Sequence, residues 1–488
     1  MRIPFWVCVL GITVSSPAFA QKVSVEYAHQ VPFSNFKTYR WGKNKGELPD
    51  AAQDTHIKHK LGRVLHLKAG TTPIDCVEHV NVGNERWYSA AAEQLDEIQA
   101  DKDSLVRFVN GYYGDGKTHF MGMLRSMAFN KGWLVTYVTA ESTPLHKFDI
   151  VYSELVKNLS LPPSMVVPEW LFQVDSKGAL ALFAAVFGRF YFEAYRLSDK
   201  SGLQKERVLA ALRQKAAELA ANPNLHETMG RAVTAYVEAV IRSDTLKAHA
   251  VCSWLEGASV RVEDAGLLRR IDQKLSRDAA RSLSVLARRA GAGGILLLLD
   301  EAERIMEQTR SVRNKSYGVI RDLLDNADDQ GGMQSSVIYV AGTPELFRSE
   351  KGFPEYDALR SRLANTVNFT IPNLIDWRGV IVDLTKTPLP HDLLVKLAVR
   401  VVDLHAMARE WDPRQYFTPE IISQMVAAVE SGAFLVSRPR LLSSFVATLL
   451  EIVEQNRDQP VTDLLKGTLQ AVHASLAKKP VTDRWDEV

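Results

Sequence analysis

A glycine-rich octapeptide combines the residue types that bind phosphate. Residues 111–118 read GYYGDGKT, with four residues between two glycines and then a lysine and a threonine. Glycines let the backbone curl so that successive N–H groups face phosphate oxygens, while the lysine neutralises the β and γ phosphates and the hydroxyl binds Mg²⁺. An apolar segment, residues 105–109, precedes the octapeptide and a helical pattern follows it, which favours a phosphate-binding loop over a simple glycine turn. We therefore expect the nucleotide to contact Gly111, Gly114, Asp115, Gly116, Lys117, Thr118 and His119.

An acidic pair follows the most apolar run of the chain. Residues 295–299 are one isoleucine and four leucines, and Asp300 and Glu301 come directly after them. Parallel sheets place their sites at the carboxyl ends of strands, so we expect this pair beside the loop. Asp300 would hold Mg²⁺ through water, together with Thr118, and Glu301 would act as general base on the attacking water. An apolar run that ends in Asp-Glu is common by itself, but the glycine-rich loop in the same chain favours the catalytic interpretation.

Three further polar residues are candidates for contact with the γ-phosphate. Thr343 comes directly after an apolar segment, residues 337–342. A simple turn without a role in the reaction is the alternative, because Thr-Pro disfavours helix continuation. Arg362 precedes a predicted strand at residues 366–371, and Arg440 lies in a helical pattern near the C-terminus. An arginine can stabilise charge on the transferred phosphoryl group. Since most arginines are solvated surface residues, either could also have no role.

A parallel α/β sheet flanked by helices is predicted to carry these residues. The apolar segments 105–109, 133–138, 295–299, 336–341 and 366–371 have the length and composition of buried strands. Residues from about 162 to 289 have a helical pattern, which predicts a large helical insertion, and the chain beyond residue 376 is helical again. We therefore expect an ATPase domain at residues 69–375 and an all-helical lid and C-terminal region at residues 376–488.

The composition excludes few function classes. Of the 488 residues, 46% are hydrophobic and 24% are charged, as in an ordinary globular protein. The net charge of +2 gives no sign of an obligate nucleic-acid binder, although a local basic face is possible. Cys8, Cys76 and Cys252 have no metal-ligand or redox spacing, and no stretch beyond the N-terminus is long and apolar enough for a membrane span.

The N-terminus has a different character from the rest of the chain. Residues 1–20 have a basic start, an apolar run at 5–14 and an Ala-Phe-Ala site at 18–20, which predict a secretory signal peptide; a buried strand is the alternative. Residues 21–68 contain the segment FSNFKTYRW at 33–41. That segment resembles the opening of the exported DUF4136 lipoprotein-like proteins. The fragment is too short to close a sheet, so we interpret it as a truncated stub.

The order of the chemical motifs resembles that of the AAA+ family of P-loop NTPases. A phosphate-binding loop, an Asp-Glu strand, a polar residue at the next strand end, an arginine and a later lid arginine follow one another. The resemblance implies that Thr343 is sensor 1, Arg362 the arginine finger and Arg440 sensor 2. It also implies that Val82 and Gly83 belong to the segment that packs on adenine.

A narrower resemblance covers about residues 71–450 and is to the DUF2791 ATP-binding proteins of bacterial BREX (bacteriophage exclusion) systems. The matching motifs are PID at 73–75, VNVG at 80–83, the loop at 111–119, LDEAE at 299–303 and AGTP at 341–344. The resemblance implies ATP and Mg²⁺ as cofactors, a homo-oligomer, other phage-defence proteins as partners, and action on phage or host DNA in the cytoplasm.

An export signal conflicts with a cytoplasmic ATPase, because the periplasm holds no useful ATP pool. We interpret the N-terminus as a joined or misassembled reading frame and expect the working protein in the cytoplasm. Three functions remain open. They are an ATPase that drives a DNA-associated assembly, a nucleotide-gated scaffold that oligomerises with little turnover, and an exported envelope protein that carries a passenger ATPase fragment.

Overall fold

The computed structural model describes most of the chain that follows the predicted stub. The described ranges are 77–165, 177–197, 204–260, 270–328, 333–367, 375–409, 411–431 and 438–456, with Gly467. The predicted signal peptide and stub lie outside these ranges.

Five parallel strands form one sheet in these ranges, in the order β2-β3-β4-β1-β5. Their bounds are β1 (Ser104–Asn110), β2 (Leu134–Thr139), β3 (Ile295–Asp300), β4 (Ser336–Gly342) and β5 (Ile381–Asp383). Nearly all residues of β3 and β4 are buried. Helices cover both faces of such a sheet, which explains why these strands read as continuous apolar runs rather than as alternating patterns. The first four strands confirm four of the five predicted apolar segments.

Helices pack on both faces of the sheet and continue into a bundle after β5. In chain order they are α1 (Glu85–Asp101), α2 (Lys117–Asn130), α3 (Phe148–Lys157), α4 (Gly178–Leu197), α5 (Gln204–Ala220), α6 (Glu227–Ile241), α7 (Thr245–Leu255), α8 (Leu275–Ala290), α9 (Arg310–Asp328), α10 (Pro344–Arg348), α11 (Asp357–Val367), α12 (His391–Arg409), α13 (Pro419–Ser431) and α14 (Arg438–Gln455). Helices α4 to α8 lie between β2 and β3 in the chain, where the sequence predicts helices. None of the helices in the described ranges is both long and apolar enough to cross a membrane.

The fifth strand differs from the prediction. Thr366 and Val367, the start of the predicted strand at 366–371, are the last residues of α11, and residues 368–371 lie outside the described ranges. The strand beside β1 is instead β5, in which Ile381 pairs with Phe108. A strand of three residues has too short an apolar run to be recognised in a sequence, and its pairing with β1 defines it. The sheet therefore extends past residue 375, the predicted end of the ATPase domain.

Three hydrophobic clusters organise the packing. One joins one face of the sheet to α3 through α9. A second joins the opposite face to α1 and α2. The third joins α12, α13 and α14, and it includes Val80 and Val82. The segment ahead of α1 therefore packs on the C-terminal helices, although α1 itself packs on the sheet.

A buried arginine connects β1 to the segment that precedes β5. Arg107 is 0% exposed, and its guanidinium donates hydrogen bonds to the carbonyl oxygens of Gly379 (2.8 Å) and Trp377 (3.0 Å) and to the side chain of Gln94 (3.0 Å). The rings of Trp87 and Tyr339 lie 5.7 Å and 5.9 Å from its guanidinium carbon. In the described ranges no carboxylate pairs with it. Hydrogen bonds and aromatic faces compensate for the burial of its charge.

Candidate nucleotide-binding site

The glycine-rich loop connects β1 to α2 at the carboxyl edge of the sheet. Gly114 and Gly116 have φ angles of 94° and 92°, in the left-handed region that glycine adopts without strain. Gly116 precedes α2 and provides no side-chain cap. The N–H groups of the first helical turn therefore have no side-chain partner at this position, which is the arrangement that binds anions at helix N-termini.

Side chains within the loop fix its shape. Lys117 is 7% exposed, and its Nζ donates hydrogen bonds to the carbonyl oxygens of Gly111 (2.8 Å) and Tyr112 (3.2 Å). The Asp115 carboxylate accepts a hydrogen bond of 2.8 Å from the N–H of Tyr112, and burial raises the pKa of Asp115. The loop thus brings an ammonium group and the start of a helix to the same place.

Asp300 meets the loop helix although β4 lies between β3 and β1. The Thr118 hydroxyl donates a hydrogen bond of 2.8 Å to Asp300 Oδ2, and the N–H of Glu301 donates one of 2.8 Å to Oδ1. Asp300 is 1% exposed. The structure therefore brings together the two residues that the sequence predicts for Mg²⁺. A hydroxyl and a carboxylate are the oxygen ligands that suit this ion when phosphate oxygens complete its shell.

Two carboxyl groups follow Asp300 and face the same space. Glu301 has a φ of 58°, unusual for a residue other than glycine, so the chain turns sharply at the end of β3. Burial raises the pKa of Glu301, and the charges of Glu141 and Asp300 raise it further. Burial also raises the pKa of Glu303, against the opposing effect of Lys117. Oε2 of Glu301 and Oε2 of Glu303 are both buried without a hydrogen-bond partner among the described residues.

A cavity of about 640 Å³ contains most of the predicted site. This volume lies in the range of about 300–1,000 Å³ that is typical of small-molecule sites. Its lining includes ten of the predicted residues, namely Val82, Gly114, Asp115, Gly116, Lys117, Thr118, His119, Asp300, Glu301 and Arg440.

Four predicted residues stand outside that lining. Gly111 is at the base of the loop, where its N–H donates to the carbonyl oxygen of Gly342 (3.3 Å). Gly83 has a φ of 73°, and a Cβ there would lie 2.6 Å from a methyl group of Leu389. Thr343 precedes α10 at the carboxyl end of β4, and its N–H contacts the Glu303 carboxyl group. Arg362 lies on α11, and its side chain is outside the described part of the chain.

One end of the cavity is apolar and comes in part from residues that the sequence analysis did not identify. Pro388, Leu389 and Leu397 line it together with Val80 and Val82 of the VNVG motif, whereas Leu384 lies beside Gly111 at the base of the loop. Pro388, Leu389 and Leu397 follow β5 or lie on α12, about 270 residues beyond the loop, and no motif marks them. The apolar end has the chemistry of a pocket for a nucleotide base, while the loop provides the phosphate end.

His119 connects the loop helix to the segment ahead of α1. Its Nε2 donates a hydrogen bond of 3.0 Å to Asn81 Oδ1, since an amide oxygen only accepts. Burial lowers the pKa of His119 to about 4, so the ring is neutral at neutral pH. The carbonyl oxygen of Asn81 accepts a hydrogen bond from Arg400 of α12. Asn81 therefore bridges the loop helix and the C-terminal helices.

Arg440 contacts the loop from α14. Its guanidinium carbon lies 4.4 Å from the centre of the Tyr113 ring, the distance of a cation–π contact. Tyr113 is otherwise exposed, and both residues line the cavity. Of the two arginines that the sequence analysis singled out, Arg440 therefore lies at the cavity.

A family model described as BREX system ATP-binding protein BrxC/D matches residues 63–468. Neither a curated protein nor a solved structure matches the chain significantly.

Proposed function

Because the chain belongs to the BREX system ATP-binding protein BrxC/D family, we propose that it hydrolyses ATP, with Mg²⁺, at the cavity of the glycine-rich loop. The hydrogen bond between Thr118 and Asp300, 2.8 Å long and next to Lys117, is the observation that carries the proposal. It joins the two groups proposed to bind the metal ion, one after β1 and the other at the end of β3, although β4 lies between these strands.

Each residue has a separate task in this reaction. Lys117 and the N-terminus of α2 bind the β and γ phosphates. Thr118 and Asp300 hold Mg²⁺, which neutralises charge on the phosphates when bound. Glu301 orients a water molecule and accepts its proton as the water oxygen attacks the γ-phosphorus, and ADP leaves. The raised pKa of Glu301 makes it a stronger base than an ordinary glutamate, and turnover should rise with pH as this group loses its proton.

The finer assignments are also part of the proposal. In an AAA+-like arrangement, Thr343 binds the γ-phosphate or the lytic water, and Arg440 reaches the phosphates from a lid formed by α12 to α14. Arg362 acts in a neighbouring subunit of a homo-oligomer. We extend the ATPase domain to β5, because that strand pairs with β1. Helices α4 to α8 then form an insertion, and the lid begins at α12.

BREX phage defence is the context of the proposed activity, with ATP hydrolysis in the cytoplasm driving a change in an assembly of defence proteins on DNA. A nucleotide-gated scaffold is the second candidate. The contact of Arg440 with Tyr113 favours it, because this contact connects the lid directly to the loop. Turnover separates the two functions.

The test measures ATP binding by calorimetry and phosphate release for the whole chain and two variants. Lys117→Ala should abolish binding, since it removes the side-chain cation of the loop. Glu301→Gln should keep ATP bound and lower turnover at least tenfold, or by about 1.4 kcal/mol of barrier, because an amide does not accept the proton.

Two further variants make the test specific. Lys131→Ala removes a lysine at the other end of α2, where it pairs with Asp96 on the surface, and should leave binding unchanged. Glu303→Gln should retain more turnover than Glu301→Gln, and the reverse order would make Glu303 the general base. ATP binding that persists in Lys117→Ala would refute the site, and binding without turnover in the wild type would favour the scaffold.

A further inference from the structure

Tyr137 lies on the same face of the sheet as Asp300. In the pairing of β2 with β3, Thr139 is opposite Asp300 and Tyr137 is opposite Leu298. Side chains two residues apart on a strand share a face, so the Tyr137 ring extends along β2 towards Asp300. The Tyr137 hydroxyl donates a hydrogen bond of 2.8 Å to Asp300 Oδ2, and Tyr137 also lines the cavity.

The described donors occupy most of the acceptor capacity of Asp300. Oδ2 accepts from both Thr118 and Tyr137, and Oδ1 accepts from the N–H of Glu301. A carboxylate has about four lone-pair sites, so one site on Oδ1 remains for a water ligand of a metal ion. A phenol is a hydrogen-bond donor at neutral pH, so the Tyr137 hydroxyl suits an ionised carboxylate.

We propose that Tyr137 is a positioning residue that sets the affinity of the nucleotide site for its divalent ion by fixing the Asp300 carboxylate. This inference rests on the proposed function, in which Thr118 and Asp300 hold Mg²⁺. Without the phenol, the carboxylate keeps the hydrogen bonds from Thr118 and from the N–H of Glu301 but loses one of its three donors, so its orientation is less restricted. Loss of such an outer partner typically lowers metal affinity about 10- to 100-fold.

The test uses Tyr137→Phe, which removes the hydroxyl and keeps the ring that packs against the sheet. ATP binding is measured by calorimetry over a series of Mg²⁺ concentrations and in EDTA. ATP affinity is expected to increase with Mg²⁺. The Mg²⁺ concentration that gives half of this increase should be at least about tenfold higher in the variant than in the wild type. Its affinity for ATP in EDTA should equal that of the wild type, because the Tyr137 hydroxyl contacts Asp300 and Thr118, the two residues proposed to hold the ion, and not Lys117.

Two variants calibrate the experiment. Tyr236→Phe makes the same chemical change at a buried phenol of α6 whose hydroxyl has no partner among the described residues, and its Mg²⁺ dependence should match the wild type. Thr118→Ala removes a metal-binding group and should shift the Mg²⁺ dependence at least as far as Tyr137→Phe.

The outcomes separate this inference from the proposed function. If Thr118→Ala shifts the Mg²⁺ dependence and Tyr137→Phe does not, this inference is wrong and the proposed function stands. Equally weakened ATP binding by Tyr137→Phe in Mg²⁺ and in EDTA would also contradict it, since the phenol would then act on phosphate binding without the ion. If ATP binding responds neither to Mg²⁺ nor to Lys117→Ala, the proposed function itself fails.

Discussion

Three polar residues of the site, Lys117, Asp300 and His119, are each held by hydrogen-bond partners. Lys117 donates to carbonyl oxygens of its own loop, Asp300 accepts three hydrogen bonds, and His119 donates to Asn81. A buried polar group without such partners is costly. These hydrogen bonds therefore restrict the three side chains to one arrangement around the cavity.

The neutral state of His119 predicts a loss of stability in acid. Its pKa is lowered from 6.5 to about 4 in the folded protein. Between these values the unfolded chain binds the proton and the folded chain does not, so the free energy of unfolding falls as the pH drops from 6.5 towards 4. Each pKa unit corresponds to about 1.4 kcal/mol, so the loss reaches at most about 3 kcal/mol.

Urea unfolding at pH 7 and pH 5 measures this effect. The decrease in stability between the two pH values should be smaller in His119→Gln than in the wild type, since glutamine does not titrate. His79→Gln, at a half-buried histidine in the short helical turn Val77–His79, is the control for the substitution. An equal decrease in His119→Gln and the wild type would show that His119 does not carry the acid sensitivity.

At this scale the sequence predicts residues that belong to a local motif and misses those that depend on tertiary contacts. The glycines, Lys117 and Thr118 lie within eight consecutive residues, and Asp300 follows a run of five apolar residues. Tyr137 is 163 residues from Asp300, and Asn81 is 38 residues from His119. No neighbour of Tyr137 in the sequence indicates its role, and the VNVG motif around Asn81 does not indicate the contact with His119.

Segments from distant parts of the chain form the walls of the cavity. The loop and the start of α2 line it together with Tyr137 of β2 and the end of β3. The segment at 80–84, the stretch after β5, α12 and α14 also contribute to the lining. The strands β1 to β4 could be predicted because they are long and apolar. Strand β5 could not, because only its pairing with β1 identifies it.

Arg440 gives a prediction at the scale of the lid. Arg440→Ala should weaken ATP binding, because a hydrogen bond between a charged pair contributes about 1.5–3 kcal/mol, or roughly 10- to 100-fold in Kd. Calorimetry with ATP measures the change. Arg414→Ala, an exposed arginine that pairs with Asp403 and Asp412, is the matched control and should bind ATP normally. Normal binding by Arg440→Ala would mean that the lid arginine contacts only Tyr113 and not the nucleotide.

The nucleotide site of the whole molecule depends on residues well beyond the N-terminal segment. The family match begins at residue 63, and every residue that lines the cavity is numbered 80 or higher. The sequence analysis predicted this family because several short motifs occur in the same order as in the BREX ATP-binding proteins. Each motif is weak evidence alone, but their shared order makes the match specific.

Removal of residues 1–60 therefore should preserve ATP binding. A ligand that binds only the folded state raises the melting temperature in proportion to RT ln(1 + [L]/Kd), and this rise should be the same in the full-length and truncated proteins. The truncated protein should also be more soluble, because the deleted part has four aromatic residues within nine positions of the sequence, Phe33, Phe36, Tyr39 and Trp41, and exposed apolar patches promote association. If truncation removes the ATP-dependent rise, the N-terminal segment is a working part of the site.

The buried guanidinium of Arg107 has a mechanical consequence for the lid. It fixes the carbonyl oxygens of Trp377 and Gly379 to the strand that leads into the loop, and β5 is then held by its pairing with β1. The chain up to Asp383 is thereby anchored to the sheet, and α12 begins at His391. Any rotation of α12 to α14 relative to the sheet has to be absorbed by torsion angles in the seven residues 384–390. This segment contains Pro388 and Leu389, which line the apolar end of the cavity, so a ligand bound against them would restrict any such rotation.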